Sequence, residues 1–282
     1  MSDLFIALQH LVPQHALSRF AGSIASSETP WLRDMLIRRF VAAYGVDLSQ
    51  ALRGIGEFES FNDFFTRELK PGARPLADAR EFILSPADGA VSQLGPVTGG
   101  RIIQAKGRDY SVAEILGCAG EEAARFEGGS FITIYLSPKD YHRVHMPARG
   151  TLAKTNYIPG DLFSVNTATA AGVDRLFARN ERLSCRFDGP DGHFASIMVG
   201  AMIVAGIDTV WPNQFRTHAD APIHEDFAQQ GRSFAAGDEM GRFYLGSTIV
   251  LLFEPGRVAW REGLKPGDPL RMGEAIATRL SA

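Results

Sequence analysis

The sequence predicts an α+β protein in which N-terminal amphipathic helices, residues 1–50, precede a mainly antiparallel β-sandwich or barrel-like core over residues 51–282. Two features carry this expectation. Apolar residues recur at helical spacing through the first 50 positions. After residue 80 the chain breaks into short runs rich in Ile, Val and Phe, punctuated by Gly, Pro and Asp.

Leu4, Leu8, Leu11 and Val12 form a first helical stripe that ends at Pro13, and Leu17, Phe20, Ala21 and Ile24 repeat it. Thr29-Pro30 reads as a helix start, with a hydroxyl cap and proline in the first turn, and Gly45 as the matching stop. Between them Trp31, Met35, Leu36, Phe40, Val41 and Tyr44 line one stripe, flanked by Arg33, Arg38 and Arg39. Such helices suit a packing layer on the core. They also suit a membrane interface, with Trp31 and Tyr44 at headgroup depth and the arginines facing anionic lipid. Pattern alone favours the packing layer, because amphipathicity is normal for a surface helix. Further along, strands are expected at residues 81–84, 131–136, 195–204 and 248–253, and short helices near 112–116 and 168–176. Residues 213–231, with Arg216, His218, Asp220, His224, Glu225 and Asp226, read as a solvated loop.

Composition narrows the function classes. A chain that is 45% hydrophobic and 22% charged supports one sizeable core or two closely packed subdomains. A net charge of −3 lacks the basic footprint of a nucleic-acid binder, so no nucleic-acid partner is expected. Cys118 and Cys185 are too few for a disulfide framework or a cysteine-rich zinc site, and they fit a reducing compartment. No window approaches the roughly 18–20 apolar residues of a spanning helix. Asp3 precedes a short apolar stretch without the positive lead of a signal peptide, so the protein is expected to stay where it is made.

Three stretches concentrate reactive side chains: Ser85-Pro86-Ala87-Asp88-Gly89, Tyr141-His142-Arg143-Val144-His145-Met146-Pro147 and Leu245-Gly246-Ser247-Thr248. Each alone has an ordinary explanation as a turn, a pair of hydrogen-bonded histidines or a strand entry. A metal is not expected at the histidine pair. Pro147 and the preceding strand argue against a shared helical face, and no HExxH or cysteine pair completes a zinc set. Aspartate, histidine and serine in separate segments instead suggest a relay that activates a serine oxygen. The G-x-S-x-G elbow of α/β hydrolases is missing around Ser247. Gly246 presents an unhindered carbonyl and tolerates strained backbone, which makes attack on the chain itself feasible.

The sequence resembles the phosphatidylserine decarboxylases of the shorter bacterial type. The resemblance runs through Phe61-Asn62-Asp63-Phe64-Phe65-Thr66-Arg67-Glu68-Leu69, SPADG at 85–89, YLSPKDYHRVHMP at 135–147, PGDLFSVN at 159–166, LFARNER at 176–182 and MGRFYLGSTIVLLFEPG at 240–256. It implies a self-cleavage triad of Asp88, His145 and Ser247, and a role for His142 in the later decarboxylation. Cleavage between Gly246 and Ser247 would give fragments 1–246 and 247–282 that remain associated. Ser247 would become a pyruvoyl cofactor that condenses with the amine of phosphatidylserine, and the product would be phosphatidylethanolamine. The resemblance further implies a homodimer, and the bilayer-bound substrate turns residues 1–50 into a membrane-docking region of a peripheral protein on the cytoplasmic face of the cell membrane. Arg143, Arg179 and Arg182 are equally eligible as phosphate ligands. Two other readings stand beside this one: a serine hydrolase acting on an external ester, and a membrane-binding module without catalysis.

Overall fold

The structure, a computed structural model, describes residues 9, 13–118, 120–202, 206–215, 219–244 and 246–280. Helix α1 (Gln14–Ala25) is followed by α2 (Pro30–Tyr44), which begins with proline in its first turn. Gly45 ends α2 at φ 65°, where its N–H donates to the Val41 carbonyl at 2.9 Å. In α3 (Phe61–Phe65) the Ser60 hydroxyl caps the Asp63 N–H.

The apolar stripe of α2 is divided between two environments. Ile37 is fully buried, and Leu36, Phe40 and Val41 pack on an aromatic cluster of Phe58, Phe61, Phe64 and Phe65. Phe40 meets Phe61 and Phe65 edge-on at 5.2 and 5.7 Å between ring centroids. Trp31 is 69% exposed, Tyr44 49% and Phe20 of α1 66%. Part of the stripe is therefore core, and its ends face solvent. Leu4, Leu8, Leu11 and Val12 lie outside the described residues.

The strands are β1 (Phe82–Leu84), β2 (Gly89–Pro96), β3 (Arg101–Ala105), β4 (Arg108–Ser111), β5 (Ser130–Leu136) and β6 (Arg143–His145). There follow β7 (Gly150–Ile158), β8 (Arg182–Gly189), β9 (Gly192–Val199), β10 (Ile207–Thr209), β11 (Ile223–Asp226) and β12 (Ser233–Phe234). The last are β13 (Glu239–Phe243), β14 (Ser247–Phe253), β15 (Val258–Trp260), β16 (Pro269–Leu270) and β17 (Ala275–Arg279). Helices α4 (Val112–Leu116), α5 (Glu121–Ala124), α6 (Thr167–Gly172) and α7 (Leu176–Arg179) are short. The helix expected over 168–176 is thus split in two, with Arg175 at φ 50° between the pieces.

A large antiparallel sheet runs in the order β11-β7-β8-β9-β14-β5-β2-β16, with β12 also on β7. Strand β14 is buried along its whole length between β9 and β5. Side-chain alternation sends Ile249 and Leu251 to one core and Val250 and Leu252 to another. The first core is closed by the small sheets β10-β13-β6 and β1-β17-β15. The second is closed by the β3-β4 hairpin with α4, α6 and α7. This is a sandwich-like α+β architecture.

Two further segments depart from expectation: the strand expected at 195–204 runs instead over Gly192–Val199 as β9, and the polar segment 213–231 is not all loop. Within the anticipated loop 213–231, Ile223–Asp226 pairs with β7 as an edge strand, and His224 Nδ1 lies 2.8 Å from Asn156 Oδ1. Its polar composition is that of a solvent-facing sheet edge, a known protection against strand-to-strand association. Arg216 and His218 lie outside the described residues.

Candidate active site

The sheet register gathers the three reactive stretches at one edge. Strands β14 and β2 both run antiparallel to β5, so both begin where β5 ends. Ser247 pairs with Leu136 at that end, and Ala90 pairs with Tyr135. Neighbouring strands are about 4.8 Å apart, so the starts of β14 and β2 flank β5 within about 10 Å of each other. Gly89 is required for this approach, because a Cβ there would lie 2.4 Å from the Tyr135 carbonyl oxygen. Asp88 immediately precedes it.

From the same end of β5 the chain passes through Ser137–His142 into β6, carrying His145. The His145 N–H donates to the Pro86 carbonyl at 2.8 Å, which joins the histidine strand to the SPADG segment. Alternation along β14 places Ser247 on the same sheet face as Ile249 and Leu251, the face on which Val144 and Met146 pack. Gly246, just before it, has φ 44°, a left-handed conformation that suits glycine.

Asp88, His142, His145 and Ser247 are all buried, His142 and Ser247 completely. The hydrogen bonds of a closed Asp-His-Ser relay are not among those formed. Asp88 accepts from Arg74 Nε at 2.8 Å, from Arg74 Nη2, and from the Met272 N–H at 2.9 Å. His145 Nδ1 is 2.8 Å from the Gly237 carbonyl, which can only accept, so this nitrogen carries the proton. His145 Nε2 is then the acceptor nitrogen, and the Tyr141 hydroxyl donates to it at 3.0 Å. The Ser247 hydroxyl is buried with no hydrogen-bond partner among the described residues. Thus the fold brings Asp88, Tyr141, His145 and Ser247 to one edge while Arg74 and Tyr141 occupy the atoms a relay would use.

His142 lies on the other side of the same loop. Its Nδ1 donates to the Asp140 carbonyl at 2.9 Å and its ring packs on Phe65 at 4.2 Å, while Nε2 is buried without a partner among the described residues. Burial lowers its pKa to about 3, and the Arg67 guanidinium adds to the shift. His145 is shifted in the same direction, chiefly by burial. The unfolded chain binds a proton on His142 below pH about 6.5 that the folded chain refuses until about pH 3. Stability carried by neutral His142 is therefore complete above pH 6.5 and declines by about 1.4 kcal/mol per pH unit below it. Urea midpoints measured from pH 7 to 4 should fall less steeply in His142→Gln; parallel slopes for the two proteins would contradict the buried neutral ring.

Sequence reasoning missed Arg67, Arg74 and Tyr141. Tyr141 and Arg67 stood in recognised motifs, but the Arg74–Asp88 and Arg67–Lys139 contacts span 14 and 72 residues of chain, and the Tyr141–His145 bond, which spans four, is set by the turn from the loop into β6. Of the arginines weighed for phosphate, Arg143 pairs with Glu239 and Glu68, Arg179 with Asp161, and Arg182 donates only to carbonyls among the described residues. Beside Asp88 lies a cleft of about 540 Å³ whose walls include Arg67, Arg74, Tyr141, Lys139 and Arg271, and the Gly45–Gln50 segment that follows α2.

The sequence profile of the family described as phosphatidylserine decarboxylase matches residues 61–278, and a second profile, described as PSD, matches residues 4–45. A phosphatidylserine decarboxylase proenzyme of Saccharophagus degradans is 53% identical over 278 residues, covering 98% of this chain and 97% of its own. Proenzymes of the same name from Alcanivorax borkumensis and Pseudomonas aeruginosa are 52% and 51% identical, covering 95% and 97% of this chain and 94% and 96% of theirs. The profile match over residues 61–278 and these near-full-length identities establish that the chain belongs to the phosphatidylserine decarboxylase family.

Proposed function

We propose that this protein cleaves itself between Gly246 and Ser247 and then converts phosphatidylserine to phosphatidylethanolamine and carbon dioxide. The observation that carries the proposal is the Ser247 hydroxyl, buried and without a partner among the described residues, one residue after a glycine in left-handed backbone. A buried hydroxyl without a partner costs about 1–3 kcal/mol, a cost reasonable to find at a reacting group.

For scission, His145 Nε2 exchanges the Tyr141 hydroxyl for that of Ser247 and takes its proton. The serine oxygen adds to the Gly246 carbonyl, and transfer of the proton to the amide nitrogen turns the peptide into an ester. Asp88 supplies negative charge near the imidazole as it becomes cationic; His145 senses that charge even while Arg74 holds the carboxylate. Elimination then parts residues 1–246 from 247–282, and water displaces ammonia from the new terminus to leave a pyruvoyl group.

That group supplies a reactive carbonyl and an electron sink for an amino-acid headgroup. The surroundings of Ser247 fit it, being fully buried and beside the Thr248 hydroxyl, which also has no partner among the described residues. In the substrate complex the headgroup's own anions favour the charged form of His142, which then takes the proton that the ammonium must lose and returns one to the α-carbon after carbon dioxide leaves. Its Nε2, without a partner among the described residues, serves both tasks while Nδ1 is fixed on the Asp140 carbonyl. Intact mass measurement should find two chains, the smaller one starting at position 247 and lacking a free amine, in protein that releases carbon dioxide from phosphatidylserine. An uncut chain with full decarboxylase activity would overturn the proposal.

Exposed Trp31, Tyr44 and Phe20 motivate a docking role for the N-terminal helices, because a diacyl lipid leaves the bilayer at a cost of about 0.8 kcal/mol per methylene. No helix among the described residues is long and apolar enough to cross a membrane. Peripheral association at the cytoplasmic face of the cell membrane is the proposed arrangement, and the cleft beside Asp88 opens next to the end of α2. Exchanging Trp31, Tyr44 and Phe20 together for serine should weaken sedimentation with anionic liposomes at least tenfold and leave turnover of a short-chain, soluble phosphatidylserine within a factor of three. Equal losses in both assays would assign these residues to packing instead.

A further inference from the structure

Arg67 is 4% exposed, yet its Nε and Nη1 have no hydrogen-bond partner among the described residues. Only Nη2 is engaged, donating to the Lys139 carbonyl at 3.2 Å and the Asp140 carbonyl at 3.5 Å, while the guanidinium stacks over Phe64 at 5.5 Å. A buried guanidinium without an acid partner is costly, and proteins ordinarily pair it. The adjacent carboxylates are committed elsewhere: Asp88 to Arg74 and the Met272 N–H, and Asp140 to the Ser137 hydroxyl and N–H. Arg67 lines the cleft beside Asp88 and Tyr141 and also acts electrostatically on His142. It stands between an open cavity and the proposed proton carrier.

The geometry points to Arg67 as the anchor for the phosphodiester of the substrate headgroup, with Lys139 and Arg271 drawing the anion to the mouth of the cleft. This inference rests on the proposed activity and adds the subsite. The headgroup offers two anions, and chemistry separates them. A carboxylate that is to leave as carbon dioxide gives up its charge in the transition state, so a guanidinium fixed on it would stabilise the ground state more and slow the step. The phosphodiester keeps its charge from substrate to product. It is three bonds from the α-carbon, within reach of a cation next to His142, and its oxygens match the guanidinium fork.

Two measurements test the assignment. In full-length Ser247→Ala protein, sn-glycero-3-phosphomethanol, a phosphodiester with neither amine nor carboxylate, should shift the Arg67 Nε–H resonance, and O-methylserine should not. A response to O-methylserine alone, to inorganic phosphate but not the diester, or to none of these would overturn the assignment. In processed enzyme, Arg67→Lys should raise KM for dihexanoyl phosphatidylserine about 10- to 100-fold, the loss expected for a charged hydrogen-bonded pair, with kcat within a few-fold and normal fragments. A fall in kcat at unchanged KM would place Arg67 in the chemical step and overturn it as well. Should Arg67→Lys fail to fold, the resonance experiment still decides, because it keeps Arg67. Failure of the decarboxylase reading would show separately, as wild-type protein that releases no carbon dioxide.

Discussion

Ser247→Ala is expected to yield one uncut chain of 30.7 kDa that releases no carbon dioxide from phosphatidylserine. The substitution removes the only oxygen proposed to attack Gly246, and with it the precursor of the cofactor. It should not harm the fold. The hydroxyl makes no hydrogen bond among the described residues, so replacing it by hydrogen loses no partner and can even relieve a desolvation cost. Its circular dichroism spectrum should therefore match that of processed wild-type protein and its thermal unfolding should stay cooperative, which ties the loss to chemistry. Normal fragments from this variant, read on a denaturing gel, would remove Ser247 from the role of nucleophile.

His142→Gln separates the two stages. Scission assigned to His145 should proceed and give both fragments, whereas decarboxylation should fall by about 10²–10⁴, the range for loss of a positioned acid–base group. The complementary variant His145→Gln should remain full length. The division follows from environment: His145 Nε2 faces Tyr141 within the Asp88 edge, while His142 Nε2 has no partner among the described residues and its ring is backed by Phe65. If His142→Gln stayed uncut while folding normally, the two histidines would have to be reassigned.

Much of this architecture was legible in the residues. The boundaries of α2 were written by Pro30 and Gly45, signals that act within a few residues, whereas the expected Thr29 hydroxyl cap forms no hydrogen bond to the helix. Strands β5 and β14 declared themselves as runs rich in Ile, Leu, Val and Phe because both their faces are buried. Strand β11 was hidden, since a polar edge strand carries neither alternation nor apolar run. The site divides in the same way. Asp88, His142, His145, Gly246 and Ser247 were visible as motif residues, and Gly246, read as tolerant of strained backbone, has φ 44°. Their hydrogen bonds were not visible. That Arg74 holds Asp88 and that Arg67 lacks an acid are outcomes of packing between distant segments, and the Tyr141–His145 bond, though local, depends on how the chain turns from the loop into β6.

Strand β14 lies between β9 and β5, seven residues deep in the large sheet, and begins at Ser247. Under the proposed scission, both neighbours must already be in place to hold the serine and its glycine in register. Cleavage then becomes a signature of completed folding, left in the covalent structure of each molecule. Misfolded copies would stay whole, so the proportion of uncut polypeptide in a preparation would report how much of it never reached the native sheet.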